Sequence, residues 1–191
     1  MGDIVDGNHH HSVQALPNLI DQESLAVALL TPIRSLADKL YIVRGTEAHA
    51  GEAANSEVRI AHELGADGCE WEYRLDVDGV IFDLGHHGRV GGRPWTSAGA
   101  GVVAEIMGES FKHGLQTPRF IVRAHRHVVD DSGEKNPKCR AFVTPAWQLR
   151  TAFGYKVAPN TRSDIGGVIV EGEHIDFVRY YAAERTKTWR A

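Results

Sequence analysis

Residues 119–127 read RFIVRAHRH. The run RFIVRA is rich in apolar and β-branched residues and predicts a strand over 119–124. It delivers His125 and His127, two positions apart, at its end. In an extended segment residues i and i+2 face the same side, so both imidazoles are expected to reach one metal cluster. Imidazole suits Zn, Mn, Fe and Ni. Three other short segments carry carboxylate or imidazole groups in the same manner: GDIVDG (2–7), RGTEAH (44–49) and GHHG (85–88). The second follows the apolar run LYIV (40–43), and the third follows VIFDL (80–84). Ligands set at the ends of several strands are how a sheet presents a metal site. The pattern therefore implies metal-dependent hydrolysis as the leading chemistry.

Working outward, the composition fits this reading. The chain has 191 residues, 42% hydrophobic and 24% charged, which is ordinary for one globular domain spanning residues 1–191. No apolar run approaches the roughly 20 residues of a membrane span. Asp3 and Asp6 stand where a signal peptide would be basic and then apolar, so a cytoplasmic location with no membrane partner is expected. The formal charge of −4 excludes a strongly basic nucleic-acid-coating surface. Arginines at 119, 123, 126, 140 and 150 form a local set that could meet phosphate or lie scattered on the surface. Cys69 and Cys139 show no CxxC spacing and read as buried free thiols. Histidine is abundant, 11 residues, three of them consecutive at 9–11.

The pattern of elements predicts an α/β fold, a two-sheet sandwich with outer helices. Residues 21–39 read as a helix with an apolar stripe at Leu25, Leu29, Ile33, Leu36 and Leu40, which Pro32 is expected to kink or split. Asn55 or Ser56 caps a helix ending at Leu64, with Gly65 after it. Val77-Asp78-Gly79 predicts a hairpin joining 70–76 to 79–84. A helix is expected over 97–112 and strands over 139–144, 167–171 and 175–181, the last two joined at Gly172-Glu173-His174.

Several side chains are candidates for chemistry. A carboxylate at Asp3 can bridge two cations, and Gly2 lets the backbone approach the site. His86 and His87 are adjacent, so on extended chain they point to opposite sides; one can be a ligand while the other lines the pocket. His49, in a loop, can protonate a leaving oxygen as general acid, and Glu47 can bind metal or hold a histidine. His9 and His10 are expected to line the substrate cleft, together with His87 and Arg126. His62, His113 and His174 are expected to face solvent or to pack.

The ordered set GD-x-x-DG, a G-x-x-x-H loop, a histidine pair after a strand and a final A-H-x-H resembles the calcineurin-like metallophosphoesterases over residues 2 to about 129. The tail VTPAWQLRTAFGY (143–155) is similar to phage and prophage members. The resemblance implies a two-sheet sandwich with a dinuclear divalent-metal site that activates hydroxide for attack on phosphorus. By position Asp3 matches the bridging carboxylate, His86 or else His87 the lone histidine ligand, and His125 and His127 the closing pair. It also implies a phosphate-ester substrate, with phosphodiesters, nucleotides or nucleic acid favoured.

The chain departs from the family in two places. The family's Gly-Asn-His loop reads Gly45-Thr46-Glu47-Ala48-His49 here: Thr46 stands at the Asn place, Glu47 can substitute as ligand, and His49 can serve as acid. The family's opening Asp-x-His strand would precede Gly2, so two ligands of one metal and a central strand are expected to be missing. The expected metal content is two divalent ions, or one. Two alternative readings follow, a non-catalytic binding module of the same fold and a metal-dependent carboxylic esterase. A sheet edge left open by a missing strand could be covered by a second copy of the chain, giving a homo-oligomer.

Overall fold

The Asn18 side chain accepts a hydrogen bond from the Ile20 amide at 2.9 Å, and this N-cap starts the first helix, α1 (Leu19–Leu36). The computed structural model describes residues 1–8, 14–50, 55–88, 99–157 and 162–180. α1 runs through Pro32 as a single helix, so the expected split does not occur. Its buried side is not the expected stripe. Gln22, Glu23 and Ala26 are buried, with Leu19, Val27 and Leu30 packed beside them. Leu25, Leu29, Ile33 and Leu36 are exposed, Leu36 at 90%. The reason lies in specific partners for the polar residues. Gln22 accepts from the Gly7 amide and donates to the Leu16 carbonyl. Glu23 accepts from Ser56 and Arg59. Buried polar groups that find such partners are tolerated in a core.

Strand β1 (Tyr41–Val43) follows, then the one-turn helix α2 (Glu47–Ala50) and helix α3 (Ser56–Glu63). α3 ends before Gly65, at φ +60. Strand β2 (Gly68–Glu70) pairs parallel with β1, making a small βαβ unit. Its core is Val5, Ala26, Ile42, Ile60, Ala61 and Leu64, so α1, α3, β1 and the N-terminal segment share one cluster.

The second part of the molecule is a five-stranded mixed sheet. β3 (Glu72–Val77) and β4 (Val80–Gly85) form the expected hairpin. Asp78 and Gly79 both have positive φ, as a two-residue Asp-Gly turn requires. Helix α4 (Gly99–Lys112) leads to β5 (Phe120–Arg123), the short β6 (Asp130–Asp131), a 3-10 turn at Gly133–Lys135, and β7 (Arg140–Val143). The strand order is β3-β4-β5-β7-β6. β4, β5 and β7 run parallel, and β3 and β6 are antiparallel edges. Helix α5 (Ala152–Val157) and a separate hairpin, β8 (Ile165–Glu171) with β9 (His174–Tyr180), complete the described chain.

The strand period of two divides the sheet's faces. Ile121 and Ala141 pack with Cys139 and Val103 of α4 on one face. Phe120, Val122 and Phe142 point to the other, where Val168, Val170, Ile175 and Phe177 of the β8–β9 hairpin cover them. The Phe142 and Phe177 rings meet edge to face at 5.6 Å. Full burial of each such side chain contributes about 1.5–3 kcal/mol. This is a mixed α/β arrangement with a helix on one face and a hairpin on the other. Among the described residues, no helix is long and apolar enough to cross a membrane.

Candidate metal centre

β4 and β5 are parallel neighbours, so their C-terminal ends lie side by side. The ladder continues one step past both strands, where Ala124 donates its amide to the His86 carbonyl at 3.1 Å. His86 and His125 are thereby brought together. Beneath them, Arg123 and Asp83 form a pair at 2.7 Å. The guanidinium also donates to the Asp83 and Val122 carbonyls, tying the two strand ends together.

Asp3 enters from the N-terminal segment. Its Oδ1 accepts from the Thr46 amide at 2.6 Å and the Thr46 hydroxyl at 2.7 Å. This fixes Oδ2 toward the histidines: His86 Nε2 at 2.8 Å, His125 Nδ1 at 3.7 Å and His49 Nε2 at 3.8 Å. His86 Nε2 and His125 Nδ1 are 3.2 Å apart. The point equidistant from Asp3 Oδ2, His86 Nε2 and His125 Nδ1 lies about 1.9 Å from each, close to the roughly 2.0–2.2 Å of zinc–nitrogen and zinc–oxygen bonds.

The protonation chemistry points the same way. His86 Nδ1 lies 2.6 Å from the Met1 carbonyl, which can only accept, so Nδ1 carries the proton. In the neutral ring, Nε2 then faces a carboxylate oxygen with its lone pair. Two such acceptors at 2.8 Å repel unless a positive charge, a proton or a metal cation, lies between them. Metal-binding histidines commonly donate their other ring nitrogen to a backbone carbonyl, which fixes the tautomer and the ring's orientation. Burial pushes the Asp3 carboxyl up, but hydrogen bonds from His125, His86 and Thr46 and the charge of His86 outweigh it. Together they hold Asp3 far below the usual carboxylate range. The histidine hydrogen bonds and that charge belong to protonated rings, in which a proton fills the place between the acceptors; with the rings neutral, the same donor set fits a divalent cation there.

The remaining expected residues stand around this triangle. His87 is exposed, and one of its ring nitrogens lies within 4.8 Å of ligand atoms of His86 and His125. His127 is half-buried. Burial lowers its pKa, and the neighbouring charges of His125, His49 and His86 lower it further against the opposing pull of Asp3. A neutral ring with a free lone pair is favoured. His49, on α2, donates Nδ1 to the Asp6 carbonyl at 2.9 Å, which turns Nε2 toward Asp3. Glu47 is exposed at the start of α2, while Thr46 makes the contacts to Asp3. Arg126 is exposed and lies 3.9 Å from Asp130. His9 and His10 lie outside the described residues.

The expectation that His125 and His127 continue an extended strand is corrected. β5 ends at Arg123, and the two histidines have φ of 65 and 57. Asp3 has φ 52. Among the described residues, the fourth non-glycine residue with positive φ is Asp78 in the hairpin. Left-handed backbone at a residue bearing Cβ is strained and gathers at functional sites. The arginines are likewise engaged: Arg119 with Glu173, Arg123 with Asp83, Arg140 with Asp131.

Three features could not be read from local sequence: the Thr46 clamp on Asp3, the Asp83–Arg123 pair, and the partners of the Asp6 carboxylate. The Asp6 carboxylate accepts from Gln14 at 3.0 Å and from Gln148 at 3.4 Å. Each joins residues that only the fold brings together.

No family model matches the chain, and no curated protein matches it in sequence. A solved structure described as a novel archaeal phosphodiesterase is similar at TM-score 0.47 and 9% identity, over 92% of this chain and 97% of that one. A likeness that distant transfers no residue's role.

Proposed function

We propose that this chain is a metal-dependent phosphoesterase of the calcineurin-like kind, acting on phosphate esters and in particular phosphodiesters. The observation that carries the reading is the convergence of Asp3 Oδ2, His86 Nε2 and His125 Nδ1 on one point at metal-ligand distance. In this reading the β8–β9 hairpin over the five-stranded sheet is the second layer of the sandwich. Asp3, His86 and His125 hold the cation, and the neutral His127 ring stands by as a further ligand or as a contact to a phosphoryl oxygen. Because Thr46 occupies Asp3 Oδ1 with two hydrogen bonds, Asp3 offers one oxygen, which favours one cation at this position over a bridged pair.

A divalent cation bound there would supply Lewis-acid polarisation of a phosphoryl oxygen and lower the pKa of water. The chain's own residues supply the rest. Asp3 stays ionised and fixes the charge of the ligand set. The Met1 carbonyl holds the His86 ring in the ligating tautomer. His49 Nε2, aimed at the centre by the Asp6 carbonyl, can hold a proton and deliver it to the departing oxygen, a role imidazole suits near neutral pH.

The test is metal analysis joined to turnover. After incubation with Mn, Zn, Fe or Ni, the chain should retain about one cation. It should hydrolyse an aryl phosphodiester in a chelator-sensitive manner and leave an aryl carboxylic ester intact. Retention of metal with cleavage of the carboxylic ester alone would replace the phosphoesterase by an esterase. No retained metal and no turnover would leave a non-catalytic module, a reading that the threonine in place of asparagine at position 46 favours.

A further inference from the structure

We propose that Trp147 and Tyr180 form a stacking platform for the base of a nucleotide or single-stranded nucleic acid, its phosphate directed to the metal centre; this rests on the phosphoesterase reading. Both rings are exposed, Trp147 at 75% and Tyr180 at 56%. They lie together with centroids 5.5 Å apart and planes tilted by 38°. Large aromatic rings left together in water mark a contact surface, and every base offers a π-face that such rings can bind.

The platform is tied to the centre from both sides. On one side Ala146 donates to the Asp164 carbonyl at 2.9 Å, and the Asp164 amide donates to the His127 carbonyl at 2.8 Å. On the other side Gln148 donates to Asp6 at 3.4 Å, the residue whose carbonyl orients His49. Trp147 is therefore held between the segments bearing two of the centre's histidines. The chemistry of the two ends defines the ligand. A cation with imidazoles takes a phosphate, and a pair of aromatic rings takes a flat aromatic group. A nucleoside phosphate joins the two.

The experiment measures binding separately from turnover. Fluorescein-labelled hexathymidylate is titrated by anisotropy against wild type, Trp147→Ala, Trp147→Phe and Tyr180→Ala. Thymidine 5′-monophosphate and ribose 5-phosphate serve as competitors. Trp147→Ala should weaken the base-bearing probes by about 5- to 150-fold, the usual loss for one stacked base. Trp147→Phe should restore most of it, and competition by ribose 5-phosphate should be equal in all variants. Equal affinity of wild type and Trp147→Ala for hexathymidylate overturns the platform. So does competition by ribose 5-phosphate as strong as that of thymidine 5′-monophosphate, which would indicate recognition of sugar and phosphate alone. Competition by the monophosphate approaching that of the unlabelled hexamer identifies a nucleotide ligand; a much tighter hexamer identifies a strand. Base-dependent binding without hydrolysis of any phosphate ester keeps the platform and removes the phosphoesterase. Chelator-sensitive hydrolysis of a base-free aryl phosphodiester, with no base-dependent binding, does the reverse.

Discussion

At the scale of single residues the centre is held by backbone that the sequence resists. His125, at φ 65, places a Cβ where left-handed conformation costs about 1–2 kcal/mol. Glycine would remove that strain, but the His125 contact with Asp3 would go with it. His125→Gly should therefore abolish metal retention while leaving the melting temperature of the metal-free protein within roughly 2–4 °C of wild type, the shift that about 1 kcal/mol produces. A much larger fall without metal would show that the ring stabilises the fold and is no strained ligand. Gly45 carries the opposite constraint. A Cβ there would clash with the Asp3 amide nitrogen and with Asp3 Oδ1, the oxygen that Thr46 pins with two hydrogen bonds. Gly45→Ala should displace Asp3 and weaken metal binding at least tenfold by calorimetry. Gly65→Ala meets open space and should cost only the strain of its positive φ, leaving the metal affinity unchanged. The identities of Asp3, His86 and His125 were legible because ligands of that type recur in order after apolar runs. Their backbone conformation was not, because histidine carries no signal for a left-handed φ.

At the scale of elements, legibility followed the strength of local rules. The Asp78-Gly79 and Gly172-Glu173 turns, the glycine after α3 and the apolar run of β5 are each specified within a few residues, and each is where the sequence places it. α1 was legible as a helix but not in its facing. A polar residue reads as solvent-exposed until its partner is known, and the partners of Gln22 and Glu23 lie at Gly7, Leu16, Ser56 and Arg59. Glu23 gives this clamp a pH dependence. Its hydrogen bond with Arg59 comes first among the causes that hold its pKa below the ordinary carboxylate value, burial opposing and Ser56 and the Arg59 charge assisting. A carboxyl depressed in the fold stabilises above its unfolded pKa, roughly 4.3 for Glu, and loses that contribution as pH falls through the folded value. Arg59 is half-exposed, so solvent limits the gain to under about 1 kcal/mol. Urea denaturation at pH 7 and pH 3 should show a smaller acid loss in Glu23→Gln than in wild type; equal losses would remove Glu23 from the acid limb. On the other side of α1, Leu29→Lys and Leu36→Lys should alter stability by no more than about 0.5 kcal/mol, whereas Ala26→Lys, on the buried side, should destabilise strongly.

At the scale of the molecule the candidate centre is a junction. Residues Ile4 and Val5 belong to the cluster of α1, α3 and β1, while Met1 packs against Phe120, Val122 and Phe142 of the sheet. The N-terminal segment thus spans two cores, and Asp3 lies between its two anchors. His86 and His125 come from the sheet, and Thr46 and His49 come from the βαβ unit. A cation held by Asp3, His86 and His125 would therefore join parts of the chain whose apolar clusters are separate. A ligand that binds only the folded state stabilises by about 2.7 kcal/mol at a hundredfold excess over its dissociation constant. Here that stabilisation should appear in both cores together, because opening either one separates the ligands. Hydrogen exchange with and without chelator reads this directly. Metal should slow exchange of the α1 and α3 amides as well as those of β4 and β5, and Asp3→Asn should remove the effect on both. Protection confined to the sheet would mean that His86, His87 and His125 bind the cation without Asp3, and the N-terminal segment would then have no part in the site.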